Sequence, residues 1–539
     1  EGVLLQQLAQ DLARRHRLVM EQAEVQVGPR RLSRFKFSHV LVQNYLYRRL
    51  SQGERRLLHG KVAAALESCY GERVDEFAVQ LAHHHSRAGD DGRALSYFTR
   101  SAENAHRVYA NEEACAHYTH AIDAAQRVSA DAESLIRLYL GRGLIYQTLG
   151  DFEGALTDYE SALRLAGSTD EPAVEHIEWR TLLNLGRLWA WRDYRRAHDY
   201  FRDALELALR IGDPKVYAES LNWMGNWYLN QEDPLAAVEH HEKALEIFEP
   251  LGDRRGLATT LDQLGIASLL GGDITACVGY YDRAIPLFRE LDDQSHLGSS
   301  LTGRGHAGCS TYTLLTLVAS ALPISPRRDF EEATRITREI GSPAGEAWVH
   351  WSVAQLETVQ GRYGQALEAI QCGLDIANQI GHREWIVGNR WALGRLYVEL
   401  LAPEEARQHL EVTLKLAKEL GSRVWLRSVT GTLAAAYCLR DDGRQAQLLL
   451  ESVLSPETPL DTLGKRYCWA RRAELALCQG DPALALEIVE SLIASAPGMS
   501  PGCVITFLWK LKAEALIALG DIGEAHSLLL AAIENAHAT

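Results

Sequence analysis

Two markers repeat together along this chain, and their shared period of about 40 residues decides what it can fold into. The first is a tripeptide: Ile or Leu, then Gly, then Asp, Ser or His. It stands at Ile211-Gly212-Asp213, Leu251-Gly252-Asp253, Ile340-Gly341-Ser342, Ile380-Gly381-His382 and Leu420-Gly421-Ser422. The glycines step by 40, 89, 40 and 40, and a degenerate Leu291-Asp292-Asp293 divides the 89 into 40 and 49. The second marker is a short turn followed by alanine, at Ala155, Ala237, Ala366, Ala406, Ala446, Ala485 and Ala525. From Ala366 onward these alanines are spaced 40, 40, 39 and 40. Between markers, as from Leu135 to Leu149 and from Phe152 to Leu165, apolar residues recur at helical spacing. Each period therefore reads as helix, turn, helix. The glycine closes the second helix, because a residue without Cβ adopts the left-handed conformation at little cost. One such hairpin cannot bury its own apolar faces, and stacked neighbours can. Ten hairpins are expected from about residue 131 onward, preceded by three helices between 74 and 128.

The totals agree with an array. A length of 539 residues exceeds what one compact core supports. Hydrophobic residues at 47% and charged residues at 24% describe a globular chain. Acids outnumber Lys plus Arg by 71 to 56, a balance of −15 that repels phosphate backbones and anionic lipid, so no nucleic acid contact is expected. No apolar run reaches the roughly 20 residues of a membrane helix. The nine cysteines lack C-x-x-C spacing and read as small core residues in a reducing cytoplasm. The chain opens on Glu1 without a signal peptide and reads as a cytoplasmic fragment of a longer protein. Its last residues keep a helical pattern up to Ala538 without a polar cap, so the C-terminal end reads as cut as well.

The spacing inside a period resembles the tetratricopeptide repeat (TPR). Gly143, Tyr146, Ala155, Tyr159 and Ala162 fit five places of that pattern. Gly225, Tyr228, Ala237 and Ala244 fit four, and Gly394, Tyr397 and Ala406 fit three. Gly265 and Ala284 fit too, with Cys277 in place of the turn alanine. The resemblance covers about residues 74 to 539 and implies an all-α, right-handed TPR-like α-solenoid. It also implies a concave groove, lined by fixed positions of each first helix, that holds a protein partner or small effector. Those positions are Trp348, Trp351, Gln355 and Thr358 in one repeat, then Trp391, Arg395 and Val398, with Glu219, Asn222, Asn226 and Asp262 in earlier repeats. Three tryptophans with an arginine and a glutamine make a candidate recognition patch, although most tryptophans are expected to pack helix on helix.

Residues 1–72 do not follow the period. Leu4 to Leu18 reads as a helix, Glu24 to Phe37 as a β-hairpin around Gly28-Pro29, and His39 to Leu50 and Glu54 to Cys69 as two more helices. Phe37, His39, Leu46, Tyr47, Leu50, Arg55, His59 and Ala65 resemble the winged-helix junction of STAND-class signalling ATPases, which leads into TPR-like repeats. The resemblance implies a winged-helix-like unit over 1–72, transitional helices over 73–130 and the repeats over 131–539. It implies an upstream nucleotide-binding domain in the same polypeptide, with ATP or ADP bound there and no cofactor in this chain. His39 is the candidate sensor of nucleotide state, against the plainer reading of a capping or packing histidine.

No catalytic motif is present. Gly298 to Gly305 has arginine where a phosphate loop needs lysine, and it falls in a repeat helix. His83-His84-His85 cannot converge on one metal, because successive helical residues point about 100° apart. The repeat over 293–341 carries about nine extra residues, and Pro326 stands where the turn alanine belongs. Pro323 and Pro326 exclude a regular helix there, which leaves a protruding loop or a local sequence error around 309–326. The expected function is the sensing and scaffolding region of a bacterial signal-transduction ATPase. The alternatives are a free-standing scaffold or a transcription regulator lacking its DNA-binding domain. Fold alone does not decide among them.

Overall fold

The computed structural model describes residues 6–22, 24–27, 30–32, 35–168, 172–309, 316, 324–497 and 505–538. The chain is an all-α solenoid preceded by a short β region, and it divides into two compact units, 1–145 and 146–539. No helix among the described residues is long and apolar enough to cross a membrane.

The first unit opens with a helical segment, Gln7–Arg15, whose turns are wider than those of an α-helix. Four short strands follow: β1 (Val19–Glu21), β2 (Val25–Val27), β3 (Arg30–Leu32) and β4 (Phe35–Phe37). They pair as nested antiparallel ribbons, β1 on β4 with Val19 opposite Phe37, and β2 on β3 with Val25 opposite Leu32. Next come α1 (Val40–Arg49), α2 (Gln52–Tyr70), α3 (Ala78–Ala88), α4 (Asp91–Arg107), α5 (Asn111–Arg127) and α6 (Ala132–Leu149), the last crossing the boundary between units. Ser51 and Glu54 form a reciprocal capping box that starts α2. Ala63, Leu81, Ala94, Phe98 and Ala102 are buried between α2, α3 and α4, and small residues there let the helices approach closely.

The second unit is a stack of helix pairs. After α7 (Phe152–Ala166) they are α8 (Pro172–Ala190) with α9 (Tyr194–Ile211), α10 (Pro214–Asn230) with α11 (Pro234–Leu251), α12 (Arg254–Gly271) with α13 (Ile274–Glu290), and α14 (Gln294–Cys309) with the helix that follows it. The stack continues with α15 (Pro326–Glu339), α16 (Pro343–Val359), α17 (Tyr363–Gln379), α18 (Arg383–Glu399), α19 (Pro403–Leu420) and α20 (Arg423–Cys438). It ends with α21 (Gly443–Glu451), α22 (Leu463–Cys478), α23 (Pro482–Ala494), α24 (Thr506–Leu519) and α25 (Ile522–Ala538).

The repeated tripeptide is a double cap. Gly212, Gly252, Gly341, Gly381 and Gly421 all have positive φ, between 61° and 78°. The residue after each one caps the next helix: Asp213 accepts from the Lys215 amide, Asp253 from Gly256, Ser342 from Gly345, His382 from Trp385 and Ser422 from Trp425. The degenerate copy uses Asp292 at φ 51°, so the left-handed turn survives without glycine. Inside a pair, the small residue of the first helix receives a large ring from the second. A Cβ on Gly225 would lie 2.5 Å from the His241 ring, and one on Gly265 would lie 2.9 Å from Tyr281.

Pro326 does not break a helix. It occupies the first turn of α15, where a missing N–H costs nothing. Most of the 309–326 stretch, including Pro323, lies outside the described residues. The one described residue between 310 and 323, Thr316, is buried, and its carbonyl accepts from Arg466 at 2.9 Å. The glycines of the string from Gly298 sit in α14, with Gly305 against the Phe330 ring and Gly303 against Tyr281.

Candidate functional site

The first helices of the pairs from α10 to α22 are mostly buried, whereas α24 near the C-terminal end is exposed along one side. In α20, every residue from Ser428 to Ala436 is buried, a pattern that belongs to a helix covered on all sides. Three tryptophans from successive first helices, Trp351, Trp391 and Trp425, meet with ring centroids 5.5 to 6.3 Å apart. His306 stacks on Trp351 at 4.6 Å, and Trp348 stacks on Trp385 at 5.6 Å. Trp391 is 1% exposed, and its indole N–H donates to Thr432 Oγ1 at 2.8 Å.

The structure therefore brings Trp348, Trp351, Gln355, Trp391 and Arg395 together, but inside the fold and not on an open groove wall. Arg395 is 4% exposed and donates to Gln355 Oε1 at 3.0 Å, and it also reaches Glu399 at 3.3 Å. Thr358 is buried too. The positions in earlier repeats form a polar ladder between neighbouring helices. Asn222 Nδ2 donates to Thr260 Oγ1 at 2.8 Å, and buried His241 donates to Asn222 Oδ1 at 3.0 Å. Ser300 donates to Asp262 at 2.5 Å, and Glu219 pairs with Arg180 at 2.8 Å. Asn226 is half-buried. Asn222, Asp262 and Glu219 thus bond to a neighbouring repeat. Burial pushes the Asp262 carboxyl up to about 6, against the opposing hydrogen bond from Ser300. Burial alone holds His306 near 4, and mainly burial holds His241 near 3.

What covers the inner helices is a seam. The turn after a first helix meets the start of another first helix about 190 residues later. Trp191 stacks on His382 at 4.6 Å, and its carbonyl accepts from the Glu384 amide at 3.4 Å. Tyr194 and Trp425 both donate to Glu384 Oε1, each at 3.2 Å. One period on, Gln231 donates to the Gly421 carbonyl at 3.2 Å and Ser422 donates to Asn230 at 3.1 Å. Glu232 then pairs with Arg427 and accepts from Thr462 at 3.5 Å. Glu232 has a φ of 55° and is 7% exposed, and a Cβ on Gly464 would overlap its carboxylate. A cavity of about 20 Å³ lies beside it, lined by Leu229, Leu270 and Val424 among others. Burial raises the Glu384 carboxyl against the hydrogen bonds from Trp425 and Tyr194, raises Glu232 against Arg427 and Lys465, and depresses His382 to about 3.

Sequence reasoning missed this seam because its partners are far apart and share no motif. One signal was available: Glu232 stands in a turn where Gly361 and Gly150 adopt the same left-handed conformation in other repeats.

In the first unit, His39 is exposed and caps α1, with its Nδ1 accepting from the Leu41 amide at 3.1 Å. The consecutive histidines diverge. His83 faces Phe98 and His120, His84 meets His59 with Nδ1 atoms 2.8 Å apart, and His85 pairs with Glu67 at 3.1 Å. Among the described residues, no group of three or more His, Cys, Asp or Glu side chains is arranged to hold a metal.

Comparison with known proteins places repeats directly on this chain. A curated relative, an uncharacterized protein of Rhizobium meliloti (strain 1021), is 25% identical over 191 residues, 34% of this chain and 18% of that protein. The match thus spans less than a fifth of the relative's length. Among solved structures, a Rap protein complexed with Competence and Sporulation Factor aligns over 67% of this chain and 98% of its own at 12% identity and a TM-score of 0.44. NprR in complex with its cognate peptide NprX aligns over 68% and 100% at 14% identity and 0.44. Yeast Tom70 aligns over 87% and 96% at 16% identity and 0.34. Family models described as tetratricopeptide repeat match residues 136–169 and 216–305, so the chain carries a tetratricopeptide-repeat region.

Proposed function

We propose that this chain is the partner-binding arm of a bacterial signal-transduction regulator and performs no catalysis itself. A protein partner or small effector is held by the inner helices around Trp351, Trp391 and Arg395. Binding biases a nucleotide-driven domain of the same polypeptide, joined through the winged-helix-like residues 1–72, and ATP or ADP belongs to that domain. The observation that carries this reading is a set of hydrogen-bonding groups buried on the inner helices. Trp351 Nε1, Ser352 Oγ and Thr430 Oγ1 have no hydrogen-bond partner among the described residues. Buried polar atoms are nearly always satisfied, and a segment laid along α16 and α20 would supply what these lack. The seam is the element such a ligand would have to open, so a closed and an opened seam would be the two states that a switch needs.

Two further observations support the reading. The tetratricopeptide match fits a scaffold for protein interaction. In the first unit, Val40, Leu41, Tyr45 and Leu57 are 59% to 67% exposed, the kind of apolar patch that a docking face carries. The test is the complete reading frame that encodes this segment. A phosphate-loop ATPase in frame upstream, whose hydrolysis changes when residues 1–72 are deleted, supports the switch. A start codon within a few residues of Glu1 overturns it and leaves a scaffold without a nucleotide switch.

A further inference from the structure

The second helix of a repeat is normally long enough to cover the first. α17 runs for 17 residues and α19 for 18, but α21 stops after 9. The chain then crosses residues 452–462 without a regular helix before α22 begins at Leu463. Where α21 stops, a cavity of about 320 Å³ is bounded by the first turn of α20, the end of α21 and the segment up to Thr458. Small-molecule sites commonly have volumes of about 300–1,000 Å³. One wall of the cavity is a fixed turn. The Ser455 amide donates to Thr458 Oγ1 at 2.8 Å, and the Thr458 amide donates to the Ser455 carbonyl at 2.9 Å. Trp469 Nε1 ties the Thr458 carbonyl down at 3.1 Å, and Pro456 restricts the backbone between.

Leu426, Val453 and Leu454 give the cavity an apolar side. Arg427 also lines it, but its charge is committed: it pairs with Glu232 and donates to the Val453 carbonyl at 3.3 Å. Two charges remain. Arg423, the first residue of α20, is exposed, and its guanidinium makes no hydrogen bond or ion pair among the described residues. Glu451, the last residue of α21, is exposed and accepts one hydrogen bond, from Gln447 at 2.7 Å. The helix ends reinforce both signs, since the start of a helix is partly positive and the end partly negative. The cavity thus has a cationic pole, an anionic pole and an aliphatic wall. A phosphate dianion would be repelled by Glu451 and a simple amine by Arg423, whereas a zwitterion with an aliphatic body satisfies both. We propose that this cavity binds a free aliphatic α-amino acid, with the carboxylate on Arg423, the ammonium on Glu451 and the side chain against Leu426, Val453 and Leu454. The site is separate from the cluster around Trp391 and does not depend on what that cluster holds.

The test titrates leucine into the purified chain by calorimetry. Three analogues run beside it: isocaproate, which lacks the ammonium, isoamylamine, which lacks the carboxylate, and the amino acid glycine, which lacks the aliphatic body. The expected result is saturable binding of leucine at one site, with each analogue weaker by about tenfold or more. Arg423→Ala and Glu451→Gln alter exposed side chains. Each should weaken leucine binding by about 10- to 100-fold and leave the unfolding midpoint where it is. No saturable binding at millimolar leucine overturns the proposal, and so does any of the three analogues binding as tightly as leucine. Leucine binding that both substitutions leave unchanged overturns it too, because the amino acid would then sit elsewhere on the chain.

Discussion

The helices α1 and α20 are built from similar materials and end in opposite environments. In α1, Val40, Leu41, Val42, Tyr45, Leu46 and Tyr47 crowd ten residues, and none of the ten is buried. In α20, ten of sixteen residues are buried, and among them are Ser428, Thr430 and Thr432. Apolar content does not separate the two. What separates them is the period. α20 has a repeat before it, a repeat after it and the seam on its remaining side, whereas α1 stands ahead of the first hairpin. Burial in this chain is assigned by place in the array, and two of the three hydroxyl groups carried inward on α20 are satisfied by the i−4 carbonyl. Thr432 bonds Ser428 at 2.9 Å, and Ser428 bonds Val424 at 2.7 Å.

Substitutions should widen or erase that contrast. Trp391→Ala, in the middle of the inner helices, is expected to cost about 3–5 kcal/mol in urea unfolding. A cost below about 1 kcal/mol would show that the tryptophan cluster is looser than a core. Acid comes next. His241 and His382 are held neutral by burial, so their contribution is intact above the ordinary histidine range and drains away as pH falls from about 6.5 toward 3. Each should cost about 2 kcal/mol at pH 5. His382→Asn should flatten the acid limb of a midpoint-versus-pH curve, and an unchanged limb would remove His382 from the account.

Asp262 works in the opposite sense. Its raised carboxyl favours the fold below the ordinary aspartate value, and that benefit is lost as pH rises through about 6. Asp262→Asn should therefore stabilise the chain by about 2–3 kcal/mol at pH 7 and leave it unchanged near pH 3.5. A loss of stability at pH 7 would mean that the charge is needed. Gly464→Ala places a methyl on the Glu232 carboxylate and should cost about 1–3 kcal/mol, where an ordinary mid-helix glycine would gain from the change. Leu41→Ser in α1 should move the midpoint by an amount equivalent to no more than about 0.5 kcal/mol. A larger loss would mean that α1 is covered by a contact within the first unit.

Much of the array was legible because its markers do local work. A left-handed glycine followed by a side-chain cap is a property of four or five adjacent residues, so Ile211-Gly212-Asp213 announces its geometry without any knowledge of the fold. Ring-on-glycine packing such as His241 on Gly225 follows from a spacing of 16 residues, and it is legible for the same reason. Trp351 and Trp391, and Gln355 and Arg395, come near each other because each pair is spaced by the period on neighbouring first helices. Their exposure was not legible. Whether such positions line a channel or a core depends on how far the stack turns before it meets itself, and small angles summed over several repeats decide that. Gln355 and Arg395 look like recognition residues in sequence and bond each other in the structure.

The seam changes what kind of folding unit the repeats make. A plain solenoid has only neighbour contacts, so it can melt from either end like a zipper and tolerate loss of a terminal repeat. Here Trp191 is tied to His382 and Glu232 to Arg427, contacts that close long loops and raise the entropic cost of reaching the native state. Residues from about 191 to 464 are thereby joined into one cooperative block, and cutting a repeat out of it would leave each turn facing the wrong partner. Hydrogen exchange would see this block open in a single step, while the helices beyond it fray independently.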